Sequence, residues 1–356
     1  VRLKGNCLFI FEPMSEQSSE KQGTPDRKRD HIDMAFASSI GSDQLDHRFY
    51  YEPMLAGHPK EKASNFEFLG KEMRYPIWVS SMTGGTKWAR TINHNLARMC
   101  GKHGFGMGLG SCRPLLEGKQ HFKDFDVREF IGPSAPLFAN IGIAQLQEMQ
   151  ASGTTDRLRV LMEQLRADGW IIHVNPMQEW LQPEGDRYYI SPVETISRLL
   201  EDVEFPVIVK EVGHGFGPES LRALLQLPLA ALDFGANGGT NFSKLEMMRS
   251  DKEKAKLYES LAFVGHSAEE MMAMSQSIVE ELGSKCLCQS IIASGGVKSF
   301  LQGYYLVESS PLPAVYGQAA AFLKYARESF DAVDAYAQRQ TEAYDLCRQL
   351  LTVRTS

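Results

Sequence analysis

One short stretch gathers an imidazole, three amides and three acids. It runs His173-Val174-Asn175-Pro176-Met177-Gln178-Glu179 and on to Gln182-Pro183-Glu184-Gly185-Asp186-Arg187. It follows Gly169-Trp170-Ile171-Ile172, an apolar run that reads as a buried strand. A buried polar group without a partner costs ~1–3 kcal/mol, so a core does not collect such residues. The mouth of a parallel α/β sheet does, because ligands sit beyond the carboxyl ends of its strands. Glu179, beside the amide of Gln178, is a candidate for Mg2+, which keeps waters, takes few carboxylates and bridges to substrate phosphates. Taken alone, the stretch also reads as an ordinary polar loop.

Other residues point to phosphate chemistry. Ser294-Gly295-Gly296, ahead of a helix pattern, offers backbone N–H groups suited to a phosphate, and Gly238-Gly239-Thr240 offers the same. In barrels the phosphate cup lies after strands seven and eight and often holds flavin mononucleotide, FMN. Lys210 is a cation at the end of an apolar run, placed to stabilise a reduced flavin, or else a buried lysine paired with Glu211 or Asp233. Arg27-Lys28-Arg29 precedes His31-Ile32-Asp33-Met34-Ala35-Phe36, which reads as the start of an apolar-bearing helix. Arginine and lysine together suit a diphosphate, although a basic run is more often a solvated surface.

These residues need elements to hold them. From Tyr75 onward strand and helix patterns alternate. The strand candidates are Ile77–Ser80, Gly104–Gly110, Leu137–Ile141, Trp170–Val174, Val207–Val212, Ala231–Gly235, Gln289–Ala293 and Ala314–Tyr316. Between them lie amphipathic stretches such as Trp88–Lys102, Thr154–Asp168 and Ala268–Leu282. The alternation implies parallel strands joined by helical crossovers, and eight units imply a (β/α)8 TIM barrel in a single domain. A doubly wound sheet is the alternative, but Gly104-Phe-Gly106-Met-Gly108-Leu-Gly110 does not match G-x-G-x-x-G. Every strand end is polar or glycine-rich, from Ser81-Met82-Thr83-Gly84-Gly85 through Ser111-Cys112-Arg113 and Asn140-Ile141-Gly142 to Gly317-Gln318. Together they describe one lined mouth.

Composition sets the bounds. A chain of 356 residues with 43% hydrophobic content has enough apolar material for a large core. A net charge of -6 gives no basic footprint, so no nucleic-acid partner is expected. The scattered cysteines lack a framework, which points to free thiols in the cytoplasm. No apolar run approaches the ~20 residues of a membrane helix. Residues 1–25 read as a disordered, flexible N-terminal extension, with Met14 as the natural start and no signal-peptide pattern, and residues 26–356 as the FMN-binding catalytic domain.

Several motifs resemble type 2 isopentenyl diphosphate isomerase, in order from about Arg27 to Phe322. They are Arg27-Lys28-x-x-His31, Ser81-Met82-Thr83-Gly84-Gly85, Gly110-Ser111-x-Arg113, Ala139-Asn140-Ile141-Gly142 and the His173-to-Asp186 signature, joined by Val209-Lys210-Glu211-Val212-Gly213 and Gly235-x-x-Gly238-Gly239-Thr240. The resemblance implies a TIM-barrel flavoenzyme that interconverts isopentenyl and dimethylallyl diphosphate. It implies FMN contacts from Ser81, Met82, Thr83, Ser111, Asn140, Lys210, Thr240, Gly296, Lys298, Gly317 and Gln318. It implies substrate contacts from Arg27, Lys28, His31, Arg113, His173, Asn175 and Gln178, with Mg2+ at Glu179. Gln178, His173 and Lys210 are the expected catalytic residues. NADPH would reduce the flavin without being consumed stoichiometrically, and the family is usually a homotetramer or larger homo-oligomer.

Three positions and one segment depart from the family's usual pattern. Cys112 stands for glutamine, Lys298 for arginine and Phe242 for tryptophan, and Phe300–Pro313 lacks the commoner glycine and alanine content. Two rival readings are weighed. An FMN-dependent 2-hydroxy-acid oxidase or dehydrogenase commonly places a histidine beside Gly-Gly-Arg after strand six, but Gly235-Ala-Asn237-Gly-Gly-Thr240 holds neither residue. A non-catalytic phosphate-binding barrel would have no use for both Gln178-Glu179 and Arg27-Lys28.

Overall fold

The structure is a computed structural model that describes residues 24–81, 84 and 86–354. Residues 1–23 of the expected extension, and the site residues Met82 and Thr83, lie outside them. Eight strands form a closed parallel barrel. In chain order they are β1 (Ile77–Val79), β2 (Gly106–Gly108), β3 (Leu137–Gly142), β4 (Gly169–Val174), β5 (Val207–Glu211), β6 (Ala231–Asp233), β7 (Ile291–Ser294) and β8 (Ala314–Gln318). Each pairs with its sequence neighbours, and β8 closes on β1. This is the TIM-barrel fold the alternation predicts.

Strand boundaries move by a few residues from those read in the sequence. Gly104 leaves the second strand because it caps the helix Lys87–His103 in the left-handed region, at φ 74°. β3 gains Gly142, and β7 starts at Ile291 and reaches Ser294. The long helix Phe330–Leu350 lies outside the strand–helix alternation read from the sequence, since it follows the last barrel strand and its helix.

The barrel interior explains the glycines of β2. A Cβ on Gly106 would lie 2.4 Å from the Trp78 ring, and one on Gly108 would lie 2.6 Å from Ile171. Small residues on β2 therefore make room for large ones on β1 and β4. Trp78, Phe138, Ile171, Ile208, Ala231, Ile292 and Val315 form the inner core. A hairpin, Phe66–Phe68 with Lys71–Met73, adds Phe68 and Met73 to it. The hairpin precedes β1 in sequence and plugs the amino-terminal end of the barrel. Phe49–Tyr51 pairs with Leu351–Val353, which ties the two ends of this unit together.

The compact unit holding the barrel begins at Arg48, and the described residues before it, 24–47, belong to a separate unit. In that first unit the helix spans Thr24–Met34, so the Arg27-Lys28-Arg29 run lies inside the helix rather than before it. Proline is tolerated in a first helical turn because its missing N–H has no partner to lose there, so Pro25 allows this early start. Arg27, Lys28 and His31 are exposed. The i,i+4 and i,i+3 spacings put Arg27 and Lys28 beside His31 on one helix face.

Candidate active site

The carboxyl ends of β1, β5, β6, β7 and β8 enclose a cavity of about 290 Å³. Of the residues singled out in the sequence, Ser81, Lys210, Thr240, Gly296, Lys298, Gly317 and Gln318 line it. Ser111 and Asn140 do not. The thiol of Cys112, beside Ser111, is fully buried and donates to the Gly110 carbonyl at 3.6 Å; burial pushes its pKa up to about 12.

The glycine turns make the cavity wall. Gly295 and Gly296 adopt φ of 87° and 70°, open only to glycine at little cost. A Cβ on Gly295 would lie 2.1 Å from the Ala236 carbonyl, and one on Gly239 would lie 2.8 Å from the Gly296 nitrogen. The two glycine pairs thus pack backbone against backbone. The expected helix directly after Gly296 begins only at Phe300 and is capped by Ser299, so its N–H groups are already partly satisfied. The helix Ala320–Ala326 has no side-chain cap, and Ala319, Ala320 and Ala321 line the cavity. Its free N–H groups are the better seat for an anion.

Lys210 is buried at the cavity wall. Its Nζ donates to the Glu211 carbonyl at 2.7 Å and lies 3.9 Å from Asp233 Oδ2. Of the two acids weighed as partners, only Asp233 faces it. The carboxylate of Glu211 is occupied elsewhere: Oε2 accepts from the N–H groups of Gly213, His214 and Gly215 at 2.7, 2.6 and 2.9 Å. Asp233 is fully buried, and Ser294 Oγ donates to its Oδ1. Burial raises its carboxyl above the usual range, while Lys210, Ser294 and the Gly235 N–H pull it back. Its Oδ2 has no hydrogen-bond partner, and neither do Ser80 Oγ and Ser81 Oγ.

On the next strand, His173 Nδ1 lies 2.7 Å from Asn140 Oδ1. Burial, then the Lys210 charge beside it in register, lowers the imidazole from 6.5 to about 4. The ring is neutral at pH 7, and with the amide oxygen turned toward it Nδ1 carries the proton.

The opening signature folds into a fixed loop. Pro176 starts the helix Pro176–Leu181. Asn175 Nδ2 donates to Gln178 Oε1 at 3.1 Å and to Glu179 Oε1 at 3.0 Å. The Asp186 N–H donates to Glu179 Oε2 at 2.8 Å. A Cβ on Gly185 would lie 2.0 Å from the Glu179 carbonyl, which is why the turn needs glycine. Arg113 Nη1 donates to Asp186 Oδ2 at 2.7 Å. Among the described residues no group of three metal-ligating side chains comes together.

Sequence reading missed Ser294 Oγ, Asp186 as the partner of Arg113, and the uncapped helix start. An acid inside the apolar strand Ala231-Leu232-Asp233 was the one available signal for a buried site. His214, at the end of β5, is no substitute for the histidine a hydroxy-acid oxidase uses. Its Nδ1 donates to the Val264 carbonyl at 2.6 Å and its Nε2 pairs with Ser243 Oγ at 2.9 Å.

No family profile matches the chain. An isopentenyl-diphosphate delta-isomerase of Rickettsia peacockii (strain Rustic) is 33% identical over 312 residues, covering 85% of this chain and 86% of the relative. That of Rickettsia felis (strain ATCC VR-1525 / URRWXCal2) is 32% identical over 324 residues, covering 89% of each. The chain belongs to the isopentenyl-diphosphate delta-isomerase family. For this isomerase-family chain, solved structures give the fold. A flavocytochrome b2 variant with sulfite bound superposes with a TM-score of 0.57 at 15% identity, covering 85% of this chain and 72% of that one. A mandelate oxidase variant with an FMN adduct gives 0.53 at 12% identity, covering 93% and 99%. At such identities the likeness carries the barrel and nothing finer.

Proposed function

We propose that this chain interconverts isopentenyl and dimethylallyl diphosphate, with FMN in the cavity and Mg2+ on the diphosphate. The observation that carries the reading is the cavity wall. Lys210, the unpartnered hydroxyls of Ser80 and Ser81 and an uncapped helix start converge there, in a chain of this family. These residues fit FMN. A phosphate would take the N–H groups at Ala319–Ala321 and the turns at Gly296–Lys298 and Gly317. The hydroxyls and Lys210 would face the ring, with Met82, Thr83 and Thr240 in the same set. Lys298 keeps a positive charge at the phosphate but loses the bidentate geometry of arginine.

When bound, reduced FMN supplies acid and base for a proton transfer, and NADPH serves only to reduce it. The rest of the reading concerns the chain's own side chains. An alkene is a weak base, so its proton donor must act in a dry, oriented site. Lys210 supplies fixed positive charge at the wall, which needs no reorganisation as negative charge develops. His173, held neutral, orients Asn140 and presents the Nε2 lone pair; it is not an anion-binding cation. Gln178 accepts from Asn175 through its carbonyl, which leaves its NH2 to hold substrate. Arg113 would take the diphosphate; in the first unit, Arg27, Lys28 and His31 present an exposed basic face of their own that suits an anion.

Mg2+ fits on one condition. Both oxygens of Glu179 already accept a hydrogen bond, but each keeps a second lone pair. One carboxylate contact suffices only if water and the diphosphate complete the shell. The cytoplasm is the proposed compartment and a homotetramer or larger the proposed assembly. No described helix is long and apolar enough to cross a membrane.

The test is stoichiometry under anaerobic conditions. The expected result is that oxidised enzyme is idle, that NADPH switches it on, and that product far exceeds NADPH oxidised. A ratio near one, or full activity in flavin-free protein, would falsify the redox-neutral reading.

A further inference from the structure

We infer that Asp186 is a positioning residue that joins the anion-binding Arg113 to the metal-binding Glu179, and so shapes the diphosphate site. The inference rests on the proposed roles of those two residues and adds a third residue to them. Asp186 is bonded at both its side chain and its main chain. Oδ2 accepts from Arg113 Nη1 and from Gln145 Nε2, each at 2.7 Å. Its N–H donates to Glu179 Oε2 at 2.8 Å. The three partners come from three successive barrel units: Arg113 follows β2, Gln145 lies on the helix Ile143–Ala151 after β3, and Glu179 follows β4.

The loop around Asp186 is fixed from both sides. Gly185 lets the chain pass close to the Glu179 carbonyl, and the Arg187 side chain donates to that same carbonyl and to the Gly185 carbonyl. Arg187 also lies over the Trp180 ring, 4.8 Å from its centroid. Asp186 is thus held in place before any ligand arrives. Its carboxylate uses one of the five N–H groups of Arg113, which orients the guanidinium; Glu117 Oε1 lies 3.7 Å from Nε, and the remaining groups stay open to a diphosphate. Through its N–H it also orients the carboxylate of Glu179. The side chain thus sets Arg113 and the main-chain N–H sets Glu179, so both contacts that a metal–diphosphate complex would make depend on where this one residue is held.

The probe is inorganic diphosphate with Mg2+, titrated into the FMN-loaded protein by calorimetry, together with steady-state kinetics. Asp186→Ala is expected to weaken diphosphate binding and raise KM about tenfold, with kcat changed far less. Flavin affinity should be unchanged. Asp186→Asn keeps one oxygen, which can accept from both donors but without the negative charge, and should fall between the two. Because Asp186 acts through Arg113, Asp186→Ala should cost little in an Arg113→Ala background. A KM that falls would mean that Asp186 competes with substrate for Arg113, and an unchanged or additive KM would mean that it does not act through Arg113; either result overturns the inference. If the parent binds diphosphate with this coupling but shows no isomerase activity, the functional reading fails and the inference stands.

Discussion

Lys210 and His173 occupy neighbouring register positions on β5 and β4. The lysine helps hold the imidazole neutral. Replacing Lys210 by glutamine removes the charge at the cavity wall and leaves Asp233 buried without a cation. The expected outcome is a lower reduction potential for bound FMN, read by anaerobic potentiometry, and lower stability. An unchanged potential would show that the lysine does not face the flavin. His173 has a second consequence, in the pH dependence of folding. Its pKa is near 6.5 when unfolded and about 4 when folded, so between these values the unfolded chain binds more protons. Stability contributed by the neutral ring is present above pH 6.5 and is lost as pH falls toward 4. The loss is at most about 3 kcal/mol, since the ring is not fully sealed. Chemical denaturation at pH 7 and pH 4.5 should show a smaller difference in His173→Asn than in the parent.

Among the elements, the helix Thr24–Met34 carries the basic run on an exposed face. Arg29 makes an i,i+4 pair with Asp33 at 3.8 Å, a contact between exposed side chains that contributes little. Replacing Arg27 and Lys28 together by alanine is expected to raise KM for isopentenyl diphosphate at least tenfold, since two charge-assisted contacts at ~1.5–3 kcal/mol each are lost. A KM equal to the parent's would reduce this face to a solvated surface.

Across the barrel as a whole, stability and chemistry occupy opposite ends. The hairpin carrying Phe68 and Met73 seals the amino-terminal end, while the cavity opens at the carboxyl end. Phe68→Ala is expected to cost about 3–5 kcal/mol in denaturant unfolding, as for other large buried aromatics. FMN affinity of the folded fraction should stay at the parent value. A variant that lost flavin with its stability intact would break this division.

Much of this was legible in the residues themselves. Strand–helix alternation dictated seven crossovers between eight strands, because parallel strands cannot be joined by tight turns. Polar and glycine-rich strand ends marked the mouth, because a core penalises unpaired polar groups. The order of motifs carried the family. Tertiary structure alone decided which donors remain open. Ser299 caps one helix while the next starts uncapped, a difference that depends on where each helix begins rather than on the presence of glycine. It also decided that Lys210 faces Asp233 and not the adjacent Glu211, because side chains alternate across a strand and register brings in the neighbouring one. The Asp186–Arg113 pair lies beyond any local pattern, since its residues are far apart in sequence and meet only when β2 and β4 flank β3 in the closed barrel.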